Sequence, residues 1–127
     1  MSPTQRSLKM LRGLGYSVAI VEHFNSFTKT RNDLYGFADL IAIDDYETLL
    51  IQVTSGSHTS NRVKKILAND VAKRWVGHPH RRIEVHGWRP LVAYRKDGSK
   101  AKLPRWEAKL IPVTLEDFPA GPEKQGS

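Results

Sequence analysis

Apolar positions come in short runs, and their spacing marks out the elements. Leu8, Leu11 and Leu14 recur at helical spacing behind Ser2-Pro3-Thr4-Gln5. There Ser2 can cap, Pro3 suits the first helical position and Gln5 completes a capping box, so a helix is predicted to about Gly15. Residues 17–23 (SVAIVEH) are rich in β-branched side chains and predict a strand, whereas the polar, mixed residues 25–35 predict a long loop. Two apolar runs follow, 37–43 (FADLIAI) and 48–54 (TLLIQVT), separated by the turn signal Asp44-Asp45-Tyr46-Glu47, and together they predict a hairpin. A helix is expected from Thr59 or Ser60 to about Trp75. A strand is expected over 82–88, and a closing hairpin of 91–95 with 103–113 around Lys96-Asp97-Gly98-Ser99. The expected order is α-β-β-β-α-β plus a hairpin: an α/β fold with a central mixed sheet flanked by helices. Residues 1–118 form one domain, and 119–127 (PAGPEKQGS) a disordered tail.

Composition narrows the classes. A chain of 127 residues fits one domain with a real core, and 39% hydrophobic with 26% charged residues is neither disordered in bulk nor membrane-spanning. The N-terminus has no apolar segment of the secretory kind, and the absence of cysteine fits a reducing cytoplasm while excluding thiol chemistry and disulfides. Charge is unevenly placed. Residues 1–60 carry a net −1, residues 61–109 a net +10 and residues 110–127 a net −2. A basic block of that kind points to a polyanion, with nucleic acid the leading partner. The expected backbone contacts are Lys73, Arg74, Arg81, Arg82, Arg89, Arg95, Lys96, Lys100, Lys102 and Arg105.

Candidate chemistry rests on two polar residues inside apolar strands. Asp39 interrupts one run and Gln52, thirteen positions later, interrupts the next. A buried carboxylate is costly unless paired or bound to metal. If residues 44–47 reverse the chain, both side chains converge at one end of the pair, where Glu22 and Asp33 can join them. Asp39, Gln52, Asp33 and the Val53 carbonyl would then offer hard oxygen ligands suited to Mg²⁺ or Mn²⁺. The other reading is an aspartate hydrogen-bonded locally at a strand end. Phosphate-loop, dinucleotide and HExxH signatures are absent, His78-Pro79-His80 reads as a surface loop, and Trp75, Trp88 and Trp106 read as packing residues.

The strings Gly36-Phe37-Ala38-Asp39-Leu40-Ile41-Ala42-Ile43 and Leu50-Ile51-Gln52-Val53-Thr54 resemble the core of the PD-(D/E)XK nucleases. The resemblance is strongest to the small phage-borne, Holliday-junction-resolvase-like members and the virus-type replication–repair nucleases, and it covers roughly residues 3–88. It implies a restriction-endonuclease-like αβββαβ core, a Mg²⁺-dependent DNA endonuclease of the phage-processing type acting in the bacterial host cytoplasm, and a homodimer as in related resolvases. It also implies Asp39 as the metal-binding residue; Glu22, by the convergence above, is the expected further catalytic acid. Two positions depart from the pattern: Gln52 stands where an acid is usual and Thr54 where the catalytic lysine is usual. A lysine from the following helix could replace it. At about 100° per residue, Lys64 falls inside the arc of Ile66, Leu67, Val71 and Trp75, and Lys65 falls outside it, so Lys64 is the expected cation. The alternative is a catalytically inactive DNA-binding protein on the same fold; a basic protein-interaction module is a third reading.

Overall fold

The computed structural model of the chain describes residues 1–120, so all but the first two positions of the expected tail lie outside the described residues. Helix α1 spans Pro3–Gly13. It begins as its sequence predicts, with the Ser2 hydroxyl accepting the Gln5 N–H at 3.2 Å. Strand β1 is Ser17–Ile20, followed by β2 (His23–Asn25) and β3 (Thr30–Asn32), which pair only with each other. This hairpin replaces the loop expected over 25–35. Its six strand residues are all exposed, so no alternation of apolar and polar positions announces it.

Strands β4 (Leu40–Ile43) and β5 (Thr48–Ser55) form the predicted hairpin. The Asp44 carboxylate closes its turn by accepting the N–H groups of Tyr46 and Glu47, both at 2.8 Å. A 3-10 turn (Gly56–His58) leads into α2 (Thr59–Leu67) and α3 (Asp70–Trp75). One helix was expected here. Asn69 breaks it by capping α3, its side-chain oxygen accepting the Ala72 N–H at 3.0 Å. Strand β6 (Arg81–Leu91) and strand β7 (Arg105–Val113) close the sheet. The closing hairpin differs from expectation in its first arm: β7 pairs with a lengthened β6, and residues 92–104 form the connection.

The sheet order is β1-β4-β5-β6-β7. Only β5 and β6 run parallel, joined by the α2–α3 crossover; the other neighbours are antiparallel. The chain is thus α/β, with a mixed five-stranded sheet flanked by helices, and no helix of the described residues is long and apolar enough to cross a membrane. On one face α1 packs Leu8 and Leu11 onto Leu40, Ala42, Leu49 and Ile51. On the other, Phe37, Leu50, Ile66, Ala72, Ile83 and Val85 form the core under α2 and α3. Gly87 allows the crossover to approach. A Cβ there would collide with the Thr59 side chain at the start of α2.

Beneath α1 runs a chain of polar contacts. The Trp88 indole donates to the Ser7 hydroxyl (2.8 Å), Ser7 Oγ lies 2.9 Å from His86 Nδ1, and His86 Nε2 lies 3.0 Å from Glu84 Oε1. Glu84 then binds Arg82 (2.9 Å), Arg82 binds Glu47 (2.8 Å), and Tyr16 donates to Glu47 (2.5 Å). Every member is satisfied when Ser7 donates to Nδ1 and the imidazole donates from Nε2 to the carboxylate. Ser7 and His86 are both fully buried. The serine–histidine–acid order is therefore a structural tie, closed to substrate.

The hydrogen bond from His86, with Arg82 adding to it, holds the Glu84 carboxyl below its ordinary value of 4.5. A depressed carboxylate adds stability above its unfolded pKa, and that stability is lost as pH falls through the folded value. Ser7→Ala leaves the Trp88 N–H and His86 Nδ1 without a partner. We expect it to cost about 1–3 kcal/mol in urea unfolding at neutral pH. Glu84→Gln should cost a similar amount at neutral pH and progressively less in acid.

Candidate metal centre at the end of the sheet

Asp39 stands one residue before β4 and directly opposite Gln52, because the register pairs Leu40 with Ile51. Its backbone N–H donates to the Ile51 carbonyl at 2.8 Å, and its own carbonyl accepts from both Val21 (2.9 Å) and Glu22 (3.2 Å). This shared acceptor marks the point where the chain leaves β1 for the β2–β3 hairpin. It sets Glu22 at one foot of the hairpin and Asp33 at the other. One oxygen from each of Glu22, Asp33 and Asp39 lies within 4.8 Å of the others. The convergence expected from the sequence is therefore present.

The Asp39 carboxylate accepts the Val53 N–H at 2.7 Å and the Gln52 amide at 2.9 Å. Val53 lines the cleft, and the contact seen is through its N–H, which holds Asp39 in place. With its amide nitrogen committed to Asp39, Gln52 has a buried Oε1 with no hydrogen-bond partner among the described residues, on a residue only 3% exposed. Such an orphaned acceptor calls for a donor or a cation. Burial pushes the Asp39 carboxyl up to about 7; the adjacent Asp33 and Glu22 act in the same direction, while the Val53 N–H opposes them.

These groups line a cleft of about 510 Å³ between the start of α1 and the first turns of α2, with Ser2 to Gln5 on one wall and Arg62 on the other. Thr54 also lines it and brings no charge. Two cations touch the acids. Arg31 reaches Glu22 at 3.5 Å, and Lys65 reaches Asp33 at 3.7 Å. Both contacts are long and the two cations are substantially exposed, so the pairs are weak. Lys65 is thus the lysine that pairs with an acid of the cleft. It and Lys64, expected there, are both exposed and line no part of the cleft, and Lys64 makes no ion pair among the described residues. The break at Asn69 explains the exchange. Val71 and Trp75 belong to α3, and without them the buried side of α2 is set by Thr59 and Ile66, with Arg62 half-buried on the flank toward Lys65. Asn69-Asp70 was a readable cap signal for that break.

The basic residues divide into two groups. In the parallel register Arg81 and Arg82 oppose Thr48 and Leu49, four residues back along β5 from the cleft, and Arg81 donates to the Arg74 carbonyl at 3.4 Å. Lys73, Arg74, Arg81 and Arg82 thus gather at the far end. Arg82, expected as a backbone contact, has its guanidinium paired with Glu47 and Glu84. Arg89 follows Trp88, which pairs with Ser55 just past the cleft, and it lies against Gly56 while pairing with Glu107 at 3.0 Å. Arg105 and the connection bearing Arg95, Lys96, Lys100 and Lys102 continue beyond that cleft end. Of the tryptophans, Trp88 is buried, Trp75 donates to the Arg82 carbonyl and Trp106 lies under Arg6 at 4.1 Å, all in packing roles. Set against known protein families, curated proteins and solved structures, the chain matches none.

A carboxyl with a folded pKa of about 7 and an unfolded value near 3.8 favours the folded state only while it keeps its proton. That stability is full below about pH 4 and is lost as pH rises through 7. Asp39→Asn keeps an acceptor for Val53 and removes the charge. Measured by chemical unfolding near pH 8 without divalent ions, it should raise stability on the order of 2–4 kcal/mol. Near pH 4 the difference should vanish.

Proposed function

We propose that this chain is a Mg²⁺- or Mn²⁺-dependent DNA endonuclease on a restriction-endonuclease-like core. The observation that carries the reading is the meeting of three carboxylates at a cleft that Gln52 also lines, its buried Oε1 without a hydrogen-bond partner among the described residues. Together they form a hard, mostly anionic oxygen set, which suits a small divalent cation. The element order supports the same reading. Helix α1, strands β1, β4 and β5, the crossover and β6 follow the αβββαβ sequence, with the β2–β3 hairpin inserted and β7 added at the edge.

The bound cation would acidify a water and offset charge on the scissile phosphate. Asp39, held by Val53 and Gln52, provides the fixed ligand, and Glu22 and Asp33 complete the set. Lys65 and Arg62 approach from α2 on the side where Thr54 lacks a charge, so they replace the usual strand lysine in steadying the phosphate oxygens. Arg89, Arg95, Lys96, Lys100, Lys102 and Arg105, beyond the cleft end of the sheet, hold the DNA backbone. A non-catalytic DNA-binding protein is the second reading. It is favoured by Thr54 and by the two cations already resting on Glu22 and Asp33.

The test is cleavage of linear, single-stranded, flapped and four-way DNA with each metal. Wild type should cut at least one of these. Asp39→Asn should abolish cutting and leave binding intact, and added Mg²⁺ or Mn²⁺ should raise the melting temperature of wild type but not of this variant. Lys65→Ala should lower turnover about a hundredfold at saturating DNA, if an oxyanion-hole donor is a guide, while Lys64→Ala mainly weakens binding. DNA affinity should fall steeply with salt, by about 0.9 log units per log unit of salt for each phosphate contacted. Salt-sensitive binding with no cleavage by either metal would establish the second reading.

A further inference from the structure

The β2–β3 hairpin exposes two aromatic rings among the described residues. Phe24 is 60% exposed and Phe27, at the turn, 97% exposed. The turn that carries Phe27 is well braced. Asn25 Oδ1 accepts the N–H groups of Phe27 (3.0 Å) and Thr28 (3.3 Å), the Thr28 and Thr30 hydroxyls are 2.6 Å apart, and Lys29 adopts the left-handed conformation with φ 54°. Ordering a turn so as to hold a phenylalanine in water has a cost, which a ligand can offset.

Position indicates the ligand. Phe24 pairs directly with Arg31 across the hairpin, so the two side chains share a face. Arg31 lines the cleft and reaches Glu22, so the face bearing Phe24 is the cleft face. The hairpin feet are the cleft acids themselves: Glu22 immediately precedes β2, and Asp33 immediately follows β3. Three residues of strand rise about 10 Å, roughly three stacked base steps. Residues 23–32 contain Lys29 and Arg31 and no acid. Two rings among cations form too small an apolar patch for a stable protein interface, which needs on the order of 1,000 Å². They match a planar base beside a phosphate.

We propose that the hairpin is a base-stacking platform. An unpaired nucleobase, on the strand whose phosphate lies in the cleft, stacks against Phe24 and Phe27, so the chain prefers DNA with single-stranded character next to the site. This rests on the DNA-binding part of the reading above and not on the metal step.

Binding of the full chain is measured in chelator, with a single-stranded oligonucleotide carrying 2-aminopurine and with a fully paired duplex. Wild type should change the 2-aminopurine fluorescence. The Phe24→Ala/Phe27→Ala double variant should lose that change and bind the single strand about fivefold more weakly or worse. Its duplex affinity should stay within about twofold of wild type. Phe27→Trp should restore single-strand binding. Both rings are exposed, so melting temperatures should be unchanged. Equal losses on both DNAs, or none on either, would overturn the platform, as would failure of wild type to bind the single strand. A wild-type dimer that the double variant dissociates in sedimentation, at unchanged DNA affinity, would make the hairpin a self-association surface and overturn it too. Cleavage with Mg²⁺ is scored separately: stacking without cleavage would sink the nuclease reading and leave the platform standing.

Discussion

Asp39 ties three strands together. Its N–H enters the ladder to β5, its carbonyl gathers the two N–H groups at the end of β1, and its carboxylate grips the Val53 N–H beyond the last paired residue of β4. Replace it with an apolar residue and the backbone ties remain, but the Val53 N–H and the Gln52 amide lose their acceptor at the point where the sheet opens. The same placement strips water from the carboxylate and sets it beside two more acids, so the residue that organises the sheet end is also the one least content with its charge. Structural demand and chemical readiness meet in one side chain, and the cleft takes its character from that overlap.

The two faces of the sheet handle buried polarity in opposite ways. Under α1, the run from Trp88 through Ser7, His86, Glu84 and Arg82 to Glu47 pairs each donor with an acceptor, so it stiffens the packing and offers nothing to a ligand. Under α2, the polar set is left incomplete, with one amide oxygen unpartnered and three carboxylates converging. Satisfied groups mark a place where the fold is finished, and unsatisfied ones a place where something else can complete it.

Much of this was legible in the chain. Asp39 and Gln52 stand out because a polar residue in an apolar strand has to be explained, and the Asp44 turn makes their strands neighbours. The helix–strand order follows from period and caps. What escaped did so for identifiable reasons. The β2–β3 hairpin is solvated on both faces, so it leaves no periodic trace. Lys65 was hidden behind Lys64 because a helical wheel assumes an unbroken helix, and Asn69 breaks it. The basic block looked uniform in sequence, yet the parallel register of β5 and β6 sends its members to opposite ends of the sheet. Arg82 was counted as free charge because its acid partners, Glu47 and Glu84, are brought to it by strand pairing and not by sequence spacing alone.

The parallel pairing of β5 with β6 also divides the cleft by origin. The acids and Gln52 all come from the first 52 residues and are joined by antiparallel pairings, β4 to β5 across residues 44–47 and β1 to β4 across residues 21–39. Arg62 and Lys65 ride on α2, which docks through Ile66 and Thr59 against residues of β6. The α2 cations are therefore brought to the cleft by the crossover and the acids by the strands that precede it, so a change that loosens α2 from β6 withdraws positive charge and leaves the acids in place.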